Sequence, residues 1–186
     1  MVRITQVARA RKVRRHAPPA FRPCASARPS RPQRGQVHAM GRASTTRKLI
    51  LVVDDEIAVR MICSFNLEAA GLEVMEAVDG DEALAAVRER RPDLVLLDVM
   101  MPKRDGWAVA AELRADPRTR DLPIVFLTAR VDDADRRRAH QLGVVGYITK
   151  PFDPIALAAQ LEEILERLAR GERDQLRAEL LRGWGS

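Results

Sequence analysis

No stretch of this chain approaches the roughly 18 consecutive apolar residues that a membrane-spanning helix needs, and its arginine-rich beginning lacks the continuous apolar core of a secretory signal. Cysteine is almost absent: Cys24 and Cys63 lie in regions of different composition, without the paired spacing of a thiolate metal site. That argues for two reduced thiols in a reducing compartment, hence a cytoplasmic protein, with Cys63 as core packing. Acidic residues are missing from residues 1–47, which hold 12 of the chain's 32 Arg and Lys, so the remainder holds 20 basic against 26 acidic side chains. The formal charge of +6 is therefore a property of the tail, and residues 48–186 carry −6. There are no internal repeats.

Residues 1–46 are rich in Arg, Pro, Ala and Ser, a composition that buries too little apolar surface to offset chain entropy, so a disordered basic tail is expected. Three readings compete for it. It is a basic arm for nucleic acid, an organelle transit peptide, or a segment upstream of a true start at Met40. The last is favoured by the position of Met40 just before the first strand. From Lys48 onward, short apolar runs alternate with helical patterns, the mark of strand–helix units in a parallel sheet, so the fold class is α/β.

Strands are predicted over 49–53, 72–77, 93–98, 122–128 and 144–149. The run Asp93-Leu94-Val95-Leu96-Leu97-Asp98 is continuous rather than alternating, which reads as a strand buried on both faces. The first helix carries Ala58, Ile62, Phe65 and Ala69 at helical spacing, with Gly71 as its stop. Asp79 and Glu82 form a capping box ahead of Ala83, Leu84 and Val87. Trp107, Val109, Ala110 and Leu113 form the third helix's stripe, whereas the helix over 132–142 is markedly polar and weakly held. Asp153 caps a fifth helix, with Pro154 in its first turn and a stripe of Leu157, Leu161, Ile164 and Leu168. Beyond it, Gly171 either ends the helix or weakens it, while Leu176 and Leu180 continue an apolar stripe towards Trp184.

Polar residues gather where these strands end: Asp54 and Asp55 after the first, Asp98 at the third, Thr128 at the fourth and Lys150 after the fifth. Ligands of open α/β sheets bind outside the strand carboxyl ends. If the first and third strands are neighbours, three carboxylates share one crevice, and like charges so close demand a retained proton or a cation. A partly hydrated Mg²⁺ suits such an open site. Asp98 could then attack phosphorus as a nucleophile, giving an aspartyl phosphate. Lys150 and Thr128 would supply a cation and a hydroxyl, each gaining a partner only after transfer, and the Met100 carbonyl could reach the metal.

These residues resemble the receiver domains of two-component response regulators, over residues 48 to about 168. The resemblance rests on Asp54-Asp55, on Leu97-Asp98-Val99-Met100-Met101-Pro102, on Asp105-Gly106, on Leu127-Thr128-Ala129 and on Lys150-Pro151-Phe152. It implies a doubly wound, flavodoxin-like sheet of five parallel strands in the order 2-1-3-4-5. It further implies that Asp98 takes phosphate from a sensor histidine kinase or a histidine phosphotransfer protein. Asp55, Asp98 and the Met100 carbonyl would bind Mg²⁺, with Asp54 acting through water. Thr128, the Ala129 N–H and Lys150 would hold the phosphoryl group, and Tyr147 would be the switch aromatic that turns inward as Thr128 moves. The Lys150-Pro151 bond is often cis in such domains.

The expected organisation is a basic tail (1–46), a receiver (47–170) and a helical extension (171–186). Only about 35 residues follow the last strand, too few for a folded output domain, so the expectation is a stand-alone receiver acting on a downstream effector protein. Its signalling surface would be the helix over 132–142, the strand over 144–149 and the fifth helix, a face that would also allow a homodimer. It would be no enzyme beyond its own phosphotransfer and dephosphorylation, and DNA binding is not expected of it. Two alternatives are set beside this. A Mg²⁺-dependent phosphatase with an Asp nucleophile would place Asp-x-Asp after the first strand, whereas Asp98 follows the third and precedes Val99-Met100. Nucleic-acid binding through the tail predicts a steep salt dependence that vanishes when residues 1–46 are deleted. Taken singly, the acidic pair is more often a helix cap and Lys150 a solvated side chain; only the full set at four strand ends points to chemistry.

Overall fold

The computed structural model describes residues 47–129 and 132–182. The tail over 1–46 and Trp184 lie outside the described residues. Among the described residues, five parallel strands, β1 (Leu49–Val53), β2 (Glu73–Ala77), β3 (Leu94–Asp98), β4 (Ile124–Thr128) and β5 (Gly146–Thr149), form one sheet in the order β2-β1-β3-β4-β5. This is the expected doubly wound topology. Every residue of β1, β3 and β4 is buried, which is why these strands read as unbroken apolar runs.

Among the described residues, six helices accompany the sheet: α1 (Ile57–Ala69), α2 (Gly80–Glu89), α3 (Gly106–Ala115), α4 (Asp133–Gln141), α5 (Pro154–Ala169) and α6 (Arg173–Arg182). The two-residue period of the strands divides the core into two layers. Leu51, Val53, Val95, Leu97, Ile124 and Phe126 pack with side chains of α2, α3 and α4, among them Leu84, Val109 and Ala139. Their sequence neighbours Ile50, Val52, Leu94, Leu96, Val125 and Leu127 pack with α1 and α5, through Cys63, Leu67, Leu157, Leu161 and Ile164.

Caps fall where the sequence places them. Asp79 accepts from the Asp81 and Glu82 amides while Glu82 reaches back to the Val78 amide, and Asp153 caps α5 through the Ile155 amide. The polar α4 buries Ala139 alone. One helix is turned differently from its apolar pattern. Ile57, Met61, Ile62 and Phe65 of α1 are exposed, Phe65 by 73 %, and the buried face is Arg60, Cys63, Ser64 and Leu67. Ala58, Ile62, Phe65 and Ala69 share helical spacing but belong to the outer side, because Arg60 is drawn inward by the backbone at the end of β1.

Gly171 ends α5: its φ of +82° is a left-handed conformation that a side chain would strain, and its N–H bonds the Leu168 carbonyl. α6 then folds back against α4, α5 and β5. Leu176 joins the α1–α5 layer and Leu180 the α2–α4 layer, both essentially fully buried. The α4–β5–α5 face anticipated for signalling or homodimerisation is therefore occupied in part by the chain's own sixth helix.

Candidate functional site

The winding reverses between β1 and β3, and there Val53 pairs with Leu97 so that the ends of the two strands lie side by side. Asp54 is fully buried and Asp98 is 3 % exposed, whereas Asp55 faces solvent. One oxygen from each of the three carboxylates lies within 4.8 Å of the others. Backbone amides fix the two buried ones: Asp54 Oδ1 accepts from the Glu56 N–H at 3.0 Å and Asp98 Oδ1 from the Met100 N–H at 3.1 Å. The remaining oxygens converge on Lys150, whose Nζ donates to Asp54 Oδ2 at 2.7 Å and Asp98 Oδ2 at 2.9 Å. Glu56 adds a carboxylate 3.9 Å from the same nitrogen.

This corrects one expectation. Lys150 does not await a phosphate for a partner; it already bridges the two buried carboxylates, because two anions at low exposure need a counter-charge in place. Burial raises the Asp54 pKa above its ordinary value and nearby Asp98 adds to the rise, against the opposing bonds from Lys150 and the Glu56 amide. Burial alone would lower the Lys150 pKa, but the hydrogen bonds to Asp54 and Asp98 outweigh it and the net shift is upward.

The other expected residues surround this centre. Thr128 is buried at the end of β4, pairs with Thr149 of β5, and is itself engaged within the protein. Ala129 follows it at the surface. The Met100 side chain is 73 % exposed. The Lys150-Pro151 peptide is cis, as the resemblance implies. Tyr147 packs against Phe126 at 5.7 Å between ring centroids, and its hydroxyl donates to the Asp135 carbonyl of α4 at 2.9 Å. It borders a cavity of about 330 Å³ shared with Arg136, Phe152, Gln160 and Leu180.

Two residues position the site, one of them unmarked in the sequence. Arg60 is buried and its Nη1 donates to the Asp54 carbonyl at 2.7 Å, holding the end of β1; its Nε lies 3.5 Å from Glu76. Nothing in the sequence marks Arg60, since the apolar stripe assigned to α1 puts it outside. Gly106 begins α3 against the acceptor strand. A Cβ there would stand 2.2 Å from the Asp98 carbonyl oxygen, so only glycine permits this approach. The Asp105-Gly106 pair was the available signal.

The donor set suits a hard divalent ion. Three carboxylates with oxygens within 4.8 Å of one another, facing one ammonium, leave an excess of negative charge that such an ion would offset.

Comparison with known proteins gives concordant results. Residues 50–162 match the response regulator receiver domain family. The chain is 48 % identical over 121 residues to the probable transcriptional regulator ycf27 of Cyanophora paradoxa, covering 65 % of this chain and 49 % of that protein. It is 40 % identical over 127 residues to the phosphate regulon transcriptional regulatory protein PhoB of Pseudomonas aeruginosa, covering 68 % and 56 %. The solved chemotaxis protein CheY4 of Vibrio cholerae superposes with a TM-score of 0.61 at 33 % identity, over 63 % of this chain and 98 % of that one. The chain spans about half the length of the curated relatives it matches. Since those relatives are named as transcriptional regulators, the expectation that DNA binding is absent finds no support. No helix among the described residues is long and apolar enough to cross a membrane.

Proposed function

The chain belongs to the response regulator receiver domain family, and from that premise we propose that Asp98 is its phosphoacceptor, charged by the phosphohistidine of a sensor kinase or phosphotransfer protein. The observation that carries this reading is the convergence of Asp54, Asp98 and Lys150 within hydrogen-bonding distance at the sheet's switch point. An Asp98 carboxylate oxygen forms the bond to phosphorus as the bond to the imidazole nitrogen breaks, and the electron pair returns to the ring. Asp55, Asp98 and the Met100 carbonyl would hold Mg²⁺, with Asp54 contributing through water. When bound, the cation supplies the positive charge that lets a phosphate approach these carboxylates.

Once Asp98 carries the phosphoryl group as an acyl phosphate, its oxygen no longer demands the full Lys150 charge. Lys150 keeps Asp54 and turns its remaining donors to a phosphoryl oxygen, joined by the Thr128 hydroxyl and the Ala129 N–H. A shift of Thr128 opens room beside Phe126, and Tyr147 is placed to carry that change to α4 through its bond to the Asp135 carbonyl. The output is phosphorylation-dependent binding of an effector protein. The names of the relatives favour an output directed at transcription, by whichever polypeptide bears the DNA-contacting surface. The test is incubation with Mg²⁺ and a labelled small phosphodonor. Label should enter with Mg²⁺, fail to enter when chelator is present from the start, and be released by base as inorganic phosphate, the behaviour of an acyl phosphate. Label independent of Mg²⁺ would refute the metal assignment, and base-stable label would refute the acyl phosphate.

A further inference from the structure

The opposite end of the sheet carries a second crowded set of charges. Arg114 of α3 places its guanidinium among the loops leading into β4 and β5. Nε donates to the Leu142 carbonyl at 2.6 Å, Nη1 to those of Arg120 and Leu122 at 2.7 and 2.8 Å, and Nη2 to that of Gly143 at 3.0 Å. The first half of α6 brings two more arginines: Arg173 donates to the Asp121 carbonyl at 2.9 Å and Arg177 to the His140 carbonyl at 3.1 Å. With Arg120 they border a cavity of about 230 Å³.

Carbonyls satisfy N–H groups without neutralising charge. The carboxylates at hand are Asp121, 3.8 Å from Arg120 Nε, and Asp174, 3.6 Å from Arg177 Nη1, both beyond hydrogen-bond length and with side chains 78 % and 96 % exposed. The guanidiniums are close to one another. The point where a Gly143 Cβ would stand lies 3.9 Å from the Cζ atoms of both Arg114 and Arg177. Arg177 Nε is buried and donates to nothing. Burial, and then the proximity of Arg173 and Arg177, pulls the Arg114 pKa down to about 10; burial first and Arg177 also lower that of Arg173. An anion seated here would relieve this repulsion.

The geometry points to a binding site for a small phosphate-bearing anion, of the size of phosphate or pyrophosphate, held by Arg120, Arg173 and Arg177 with Arg114 as a fixed charge behind them. Planar guanidinium forks suit phosphate oxygens, and the cavity lies below the roughly 300 Å³ at which sites for larger ligands begin. Because Arg120 stands in the loop before β4 and the other two ligands stand on α6, an occupant would tie α6 to the body of the domain.

The test is a titration of the full chain with sodium pyrophosphate, in chelator and at constant ionic strength, followed by amide NMR. Omitting Mg²⁺ keeps the acidic crevice from competing. Saturable shifts should appear at Gly143, Arg173 and their neighbours, with half-saturation below about 1 mM, and Arg120→Gln/Arg173→Gln should weaken binding about tenfold or more. If that double variant loses its native spectrum, Arg120→Gln alone carries the comparison, since its side chain is 64 % exposed. Absence of saturation, equal affinity in the variant, or shifts confined to the Asp98 crevice would overturn the site. A short DNA duplex that moves these amides where pyrophosphate does not would replace the small anion with nucleic acid, and so refute the proposal as well.

Discussion

The two ends of the sheet are both crowded with like charge, but they manage it by different means. At the carboxyl end, two buried carboxylates share one ammonium, and Asp55 adds a third negative charge at the rim. At the amino end, Arg114, Arg173 and Arg177 are held by backbone carbonyls, and Arg120 stands beside them, with carboxylates only at arm's length. A carboxylate cluster answered by one movable cation can exchange partners when its charge changes. A guanidinium locked into four carbonyl bonds cannot. The first arrangement suits the phosphoryl transfer proposed for Asp98, and the second joins loops and α6 while leaving positive charge facing a cavity.

The contrast can be broken from either side. The largest expected effect is at the basic end. Arg114→Ala strands the carbonyls of Arg120, Leu122, Leu142 and Gly143, and should cost about 3 kcal/mol or more in urea unfolding. Little loss would show that the arginine is not structural and would dissolve the distinction between the two ends. At the acidic end the sign reverses. Asp54 has a raised pKa because burial disfavours its charge, so its contribution to stability falls as pH rises from 3.8 through the raised value and is wholly unfavourable at neutral pH. In Mg²⁺-free buffer at neutral pH, Asp54→Asn should raise Tm by about 2–4 °C, leaving Lys150 paired with Asp98. A lowered Tm would mean that the carboxylates are stably compensated without a metal.

The smallest effect belongs to a pair outside both clusters, which serves as reference. Arg118 and its own amide hold the Asp116 carboxyl down to about 2. That interaction favours the folded state above the ordinary value of 3.8 and is lost as pH falls towards 2. The Tm curves of wild type and Arg118→Ala should therefore converge between about pH 4 and pH 2, and parallel curves would show that the exposed pair contributes nothing.

The same contrast explains what the sequence discloses. Asp54, Asp98, Thr128 and Lys150 each sit where an apolar run stops, so strand periodicity alone aligns them, and the sheet order then brings them together. The four arginines come from α3, a loop and α6; no period relates the α6 pair to Arg114 or Arg120, and only the return of α6 after Gly171 brings that pair to them. Helix α1 shows the limit within a single element. Phe65 and Ile62 are more apolar than Arg60 and Ser64, yet the polar pair lies inside, because Arg60 bonds the Asp54 carbonyl and Ser64 bonds Glu76. An apolar stripe identifies the buried face only when no backbone carbonyl or carboxylate below it claims a polar side chain.

The proposal for Asp98 requires that one end of the sheet react with phosphate and the other not. It is tested most directly by mapping phosphate on wild type, Asp98→Asn and Arg120→Gln/Arg173→Gln after exposure to the same phosphodonor with Mg²⁺. One phosphoryl group, on Asp98, is expected in wild type and in the arginine variant, and none in Asp98→Asn. Phosphate retained by Asp98→Asn, or lost with the arginines, would contradict it.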